Sequence, residues 1–326
     1  MALVGLCGFG ALGDGFQRSI DTGATRGTGA AAQAGSPASV GRQAALAGVA
    51  GRLASSGGEA TKLIKGLALR FPESAVGRMV SDGSYFKLDD FLAAHVRGAR
   101  YHDAVHSAEV SSLAYDLARR RGLANADAQF LSEVGIVHDF DPARAAGSSP
   151  RVAATLGQMG DIAAHMGWDT RHRAMAEALI QRTMYPFAGA EVEKYESLVR
   201  ALPAEDAAFV LREGPVLSEY ADKGGNYMLR RFRTTFDKVR GLVREIDPTG
   251  KLTPRDLDTG AFLRAIGRPP AFLEDVGVAE RVTGSADAVL GIGRDMLERI
   301  APDLVHRLET NEGLFNTIVG TKPSAP

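Results

Sequence analysis

Apolar residues along most of this chain return every three or four positions, the spacing that lines one face of an α-helix, and strand-like alternation is almost absent. Leu63, Ile64, Leu67 and Leu69 mark a first amphipathic stretch, Phe86, Leu88, Phe91 and Leu92 a second, and Val105, Ala108, Leu113 and Leu117 a third. The same period predicts helices over 126–137, 150–166, 171–183, 192–201, 204–211 and 216–246. Breaks are expected at 147–150 and at Pro186, Pro203 and Pro215, where proline removes an amide donor and glycine loosens the backbone. The reading is an all-α fold with 59–246 as its main domain. Beyond Asp247-Pro248-Thr249-Gly250 several Gly and Pro precede one further amphipathic helix near 292–308. Residues 247–320 therefore read as a helical extension packed on that domain, and 321–326 as a frayed tail.

Residues 1–58 differ in kind. They are rich in Gly, Ala, Ser and Thr with few large apolar groups, so burial there cannot offset the entropy of ordering, and a flexible arm is expected. Gly8, Gly10 and Gly13 spell GxGxxG, but in so glycine-rich a stretch the match carries little weight. No βαβ pattern and no suitably spaced acidic residue follows it, which argues against a dinucleotide fold.

Composition narrows the chemistry. A chain of 326 residues, 45% of them hydrophobic, can bury a sizeable core. Its 38 Lys+Arg against 39 Asp+Glu give a net charge of -1, so no global basic field recruits nucleic acid. Cys7 is the single cysteine, which rules out an internal disulfide and a Cys-based zinc framework; any metal must bind through His and carboxylate. No stretch approaches the roughly 20 apolar residues of a membrane span, and the N-terminus lacks the basic start of a signal peptide. A cytoplasmic protein is the expectation.

Five of the seven histidines fall between Tyr101 and His172, and the informative ones belong to YHDAVHSAEV at 101–110 and VGIVHDFDP at 134–142. In a helix His102 and His106, four residues apart, would share one face while Val105, Ala108, Leu113 and Leu117 meet the core. The second string ends an apolar run with His138-Asp139. Imidazole and carboxylate together offer mixed N/O ligation suited to zinc, manganese, iron or magnesium.

The separated His106 and His138-Asp139 resemble the HD-domain superfamily of metal-dependent phosphohydrolases. Tyr101-His102-Asp103-x-x-His106-Ser107-x-x-Val110 is similar to the Tyr-His-Asn-x-x-His-Ala-x-x-Val opening of the 3′,5′-cyclic-nucleotide phosphodiesterases. The resemblance extends weakly over about 60–245, with only the two strings specific. It implies an HD/phosphodiesterase-like helical fold that holds one or two divalent ions through His106, His138 and Asp139. His102 would be the acid that protonates the leaving alkoxide, and Asp139 could bridge to a second ion. It also calls for a distant Asp on a later helix. Asp222, in Leu217-Ser218-Glu219-Tyr220-Ala221-Asp222, is favoured over Asp206 and Asp237, whose surroundings look solvent-facing. A bound cation would neutralise phosphate charge and lower the pKa of coordinated water toward neutrality, and an imidazole with an ordinary pKa of about 6.5 can donate a proton to the departing oxygen.

The chain departs from that pattern in two places. His-Asp-x-Asp-His-Pro of the phosphodiesterases is here His138-Asp139-Phe140-Asp141-Pro142, without the last histidine; His165, 26 residues past Asp139, or His172 would have to serve a second ion. The phosphodiesterases also hold the base with a late Gln, and no Gln occurs beyond Gln181. Phe262, Phe272 and Leu273 could form an apolar wall, with core packing the preferred reading. Arg100, Lys223 and Arg182 are candidate phosphate contacts, each equally explained by a solvated helix face. The expected substrate is a phosphodiester or phosphoester of a nucleotide-like small molecule. A nucleotide phosphomonoesterase, a dNTP hydrolase or a non-catalytic HD-like binding module are the alternatives, and a di-iron oxygenase lacks the further histidines it would need.

Overall fold

The computed structural model describes residues 59–82, 101–141, 144–145, 148–230, 232–254 and 272–319. The expected arm, the 86–92 helix, the tail, Arg100 and Phe262 lie outside these residues. Among the described residues every regular element is helical, in agreement with the all-α reading. No helix among them is long and apolar enough to cross a membrane.

The first layer is built from α1 (Glu59–Arg70), α2 (Ala75–Asp82), α3 (Ala104–Arg120) and α4 (Asn125–Val137). Helices α3 and α4 form the most extensive pairing in the fold, and α1 and α2 pack against them. Small residues make that close pairing possible. A Cβ on Gly135 of α4 would lie 3.1 Å from both Cα and N of Ser111 on α3, so the two backbones nearly touch there. Beside this contact the Ser111 and Ser132 hydroxyls bond at 2.8 Å, and Ser132 Oγ accepts the Ala75 amide at 2.9 Å, which joins α2 to the pair without leaving a buried hydroxyl unmatched. Leu113, Leu117, Val134 and Val137 fill the seam and are fully buried.

A second group comprises α5 (Val152–Gly157), α6 (Met159–Met166), α7 (Thr170–Arg182), α8 (Ala190–Arg200) and α9 (Ala204–Pro215). The expected single helix over 150–166 is thus two helices that meet at Gln158, a residue with φ -104° and ψ 7°. The expected continuous helix over 216–246 also divides. From Pro215 the chain winds as a π-helix over Val216–Lys223, then α10 (Gly225–Leu229), and after the extended Arg230 it continues as α11 (Phe232–Ile246). Pro215 has no N–H to give to a carbonyl four residues back, and the wider i to i+5 turn begins immediately after it. Proline here changes the winding rather than ending the helix. Gly224 closes the wide turn, where a Cβ would sit 2.8 Å from the Tyr220 carbonyl oxygen.

Further on lie α12 (Leu273–Thr283), α13 (Asp287–Leu290), α14 (Arg294–Ile300) and α15 (Pro302–Val319), so the helix expected near 292–308 is split at Ala301. Helix α12 packs on α8 and α9, and α15 on α10 and α11. Phe272 is buried against Tyr220, consistent with core packing, whereas Leu273 is exposed.

Candidate metal centre

Asp103 determines where α3 starts. Its carboxylate accepts the His106 amide at 2.9 Å as the N-cap, and burial, which raises its pKa, is outweighed by Lys238 and that N–H, which hold it below the ordinary carboxylate value. His102 consequently lies before the helix, not on it, and the expected four-residue helical pairing of His102 with His106 is corrected. The turn at 101–103 still brings the two rings to 5.5 Å between centroids. That turn is tied down by α11: Glu245 accepts the Tyr101 amide at 2.6 Å and faces His102 Nδ1 at 2.7 Å, while Lys238 reaches the Tyr101 carbonyl at 2.9 Å and Asp103 at 2.6 Å.

His106 comes from the first turn of α3, His138 and Asp139 from the end of α4, and Asp222 from the π-helix. Four of their atoms converge. His106 Nε2 is 3.4 Å from Asp139 Oδ2 and 3.3 Å from Asp222 Oδ1; His138 Nε2 is 3.1 Å and 3.5 Å from the same oxygens. Both imidazoles are buried, yet His106 Nε2, His138 Nε2 and Asp139 Oδ2 make no hydrogen bond of acceptable geometry. Buried polar atoms left in this condition are costly unless something sits between them. Ligands about 2.1 Å from one ion stand roughly 3.0 Å apart in an octahedron and roughly 3.4 Å apart in a tetrahedron. The observed edges, 3.1 to 3.5 Å, lie in or within 0.1 Å of that range, so these four residues fit a divalent cation. His138 Nδ1 meets the Gly135 carbonyl at 2.8 Å, which fixes the tautomer that leaves Nε2 as a lone-pair donor. His102, His106 and Asp139 form a second, overlapping group with donor atoms close enough to share an ion.

The electrostatics match the geometry. Burial lowers the pKa of His106 and of His138, but Asp139 and Asp222 more than reverse this, so both imidazoles are raised, His138 well above its ordinary value. Burial raises Asp139 and Asp222, and the facing imidazoles overcome it and hold both carboxyls well below the usual range. The two carboxylates thus favour protons on the histidines, a positive charge that a bound cation would replace.

A cleft of about 690 Å³ opens over this cluster among the described residues. Its lining includes His102, Asp139 and Asp222 together with Met184, Tyr185, Pro186, Leu242 and Ile246. This size suits a small organic molecule. Lys223 lines it and binds Ser218 Oγ and Glu219 Oε1, each at 2.8 Å.

Other sequence candidates are placed elsewhere. Arg182 does not reach the cleft. Its fully buried guanidinium makes a fork of two 2.7 Å bonds to Asp275, with further bonds to Ser218 and Glu219 at 3.0 Å, and it ties α7 to α12. This corrects its reading as a phosphate contact. His165 is exposed on α6 and lies outside both donor groups and the cleft lining. His172 donates its amide to Asp169, the N-cap of α7, at 2.8 Å, its Nδ1 meets the same oxygen at 2.8 Å, and its ring stacks edge-on against Phe130 at 5.0 Å. Asp206, expected to face solvent, is buried and bonded to Arg171; Asp237 is exposed beside Arg240. Glu245 was not singled out from sequence. It lies 143 residues from His102, and no spacing signal points to it.

Compared with family models, with curated proteins and with solved structures, the chain matches none.

Proposed function

We propose that the protein is a metal-dependent phosphoric ester hydrolase of the HD type, acting on a phosphodiester or phosphoester of a nucleotide-like small molecule. One observation carries this reading: buried His106 and His138 and the half-buried Asp139 and Asp222 point donor atoms at a common centre with the spacing of a coordination shell, beside a cleft of small-molecule size. These four would hold the ion. Zinc, manganese or iron suit two nitrogens and two oxygens better than magnesium does, since magnesium favours oxygen donors. Bound there, a divalent cation supplies a Lewis acid and an acidified water beside the phosphorus.

The chain's own groups would do the rest. His102 stands beside the cluster and lines the cleft, with Nδ1 committed to Glu245, so Nε2 is the nitrogen that would serve a substrate. A ring oriented in this way can pass a proton to the departing oxygen of the ester. Glu245 acts through His102 and is a positioning residue. Lys223, one residue past Asp222, supplies positive charge at the cleft wall for a phosphate oxygen. Met184, Tyr185 and Ile246 exclude water and offer an apolar surface to the organic part of the substrate.

Elemental analysis of purified protein, followed by assays with manganese, magnesium, iron and zinc against cyclic nucleotides, nucleoside phosphates and bis-p-nitrophenyl phosphate, tests the proposal. One ion per chain that disappears in Asp139→Ala, together with metal-dependent turnover, is expected. Full metal content in Asp139→Ala refutes the ligand set. Bound metal without turnover on any ester would instead favour a binding module.

A further inference from the structure

Asp141 lies two residues past Asp139, buried, and takes no part in either donor group around His106. Its Oδ2 accepts the Arg151 amide at 3.2 Å and Arg151 Nε at 3.3 Å. A buried carboxylate that accepts both groups fixes the backbone of that residue and the root of its guanidinium together. Arg151 belongs to the lining of the cleft that holds His102, Asp139 and Asp222, and its side chain is 69% exposed. Among the described residues no hydrogen bond occupies its terminal Nη groups. Lys223 is the other Lys or Arg on the described lining, and Ser218 and Glu219 already engage its ammonium. The cleft therefore presents one permanently charged, planar fork of donors that is held at its base and open at its tip.

We propose that Arg151, positioned by Asp141, determines specificity in this cleft by binding a second anionic group, a phosphate or carboxylate, on the part of the substrate remote from the ester that is cleaved. The inference rests on the phosphoester reading and narrows it to esters that carry two anionic groups. Asp141 then has a purpose unrelated to metal: it anchors the selecting arginine ten residues further along the chain.

The test uses two chromogenic probes that differ by one phosphate, thymidine 5′-(p-nitrophenyl phosphate) and its 3′-phosphorylated counterpart, with metal-loaded full-length protein. Wild type should show a KM about tenfold or more lower for the bisphosphorylated probe, the scale of charge-assisted bonds at a partly exposed site. Arg151→Ala should bring that ratio to about one with metal content retained, Asp141→Asn should lower it in the same direction, and Arg151→Lys should restore part of it. A wild-type ratio near one, or a ratio that survives Arg151→Ala, overturns the inference. Calorimetric titration with thymidine 3′,5′-bisphosphate separates the two readings. Arg151-dependent binding with no hydrolysis of either probe would sustain the arginine and sink the esterase, whereas hydrolysis of both probes with Arg151-independent binding would do the reverse.

Discussion

Gly135→Ala is the substitution that most directly tests how the fold would build the proposed metal centre. The added Cβ would meet Ser111 Cα and N at 3.1 Å and Val110 C at 3.2 Å, all backbone atoms of α3. Carbon contacts settle near 3.5–4.0 Å, so α4 must move away from α3 by about half an ångström. Replacing a helical glycine stabilises by about 0.5–1 kcal/mol, and overpacking of this kind costs about 1–3 kcal/mol, so net destabilisation should stay below about 2.5 kcal/mol and the protein should remain folded. The centre is less tolerant. His106 and His138 ride on the two helices being separated, ligand distances must hold within about 0.2 Å, and the Gly135 carbonyl is itself the partner of His138 Nδ1. Metal affinity should fall about 10–100-fold. Competition against a chelator of known affinity, run beside thermal denaturation, reads both quantities. Gly157→Ala, where a Cβ meets nothing within 4 Å, is the matched control and should leave affinity unchanged. Wild-type metal affinity in Gly135→Ala would refute the claim that helix contact sets the ligand geometry.

Three other outcomes are expected. His102→Ala and Glu245→Gln should keep their metal and lose turnover about a hundredfold or more on esters with poor leaving groups, with little loss on p-nitrophenyl esters, which need no protonation; equal losses on both classes, measured as kcat, would exclude a proton-donating role. Arg182→Met strands Asp275 as a buried charge, while Glu219 keeps Lys223, and should destabilise by about 3–5 kcal/mol, read from chemical denaturation, and a loss under about 1 kcal/mol would show that the network is dispensable. In metal-free protein the raised His106 and His138 pKa values contribute stability that is complete below about pH 6.5 and lost as pH rises through their folded values; the lowered Asp139 and Asp222 values contribute above about pH 3.8 and are lost as pH falls through theirs. The metal must displace those protons, so its affinity should climb as pH rises, with proton release measurable by calorimetry in two buffers of different ionisation enthalpy.

The two histidine strings could be read because ligand chemistry is local: a His-Asp dyad at the end of an apolar run and a histidine in a preceding helix keep their character whatever surrounds them. The resemblance called for a distant Asp, and the apolar neighbours Leu217, Tyr220 and Ala221 singled out Asp222, which the structure brings within 3.5 Å of both imidazoles. Arg182 shows the limit of that method. Its position in sequence suits a surface cation, and only the presence of Asp275 on a helix 93 residues away turns it into a fully buried anchor.

Sequence alone thus determined the helical class, from a period that local backbone geometry imposes, and the types of donor available, from the lone cysteine and the placement of the histidines. Tertiary structure decided which donors meet. The approach of α4 to α3 at Gly135, the π-helical winding after Pro215 and the clamping of the 101–103 turn by Glu245 and Lys238 depend on contacts between residues far apart in the chain. Such contacts leave no periodic trace, because burial of a charge or a half-ångström of helix separation is a property of the packed whole and not of any window of sequence.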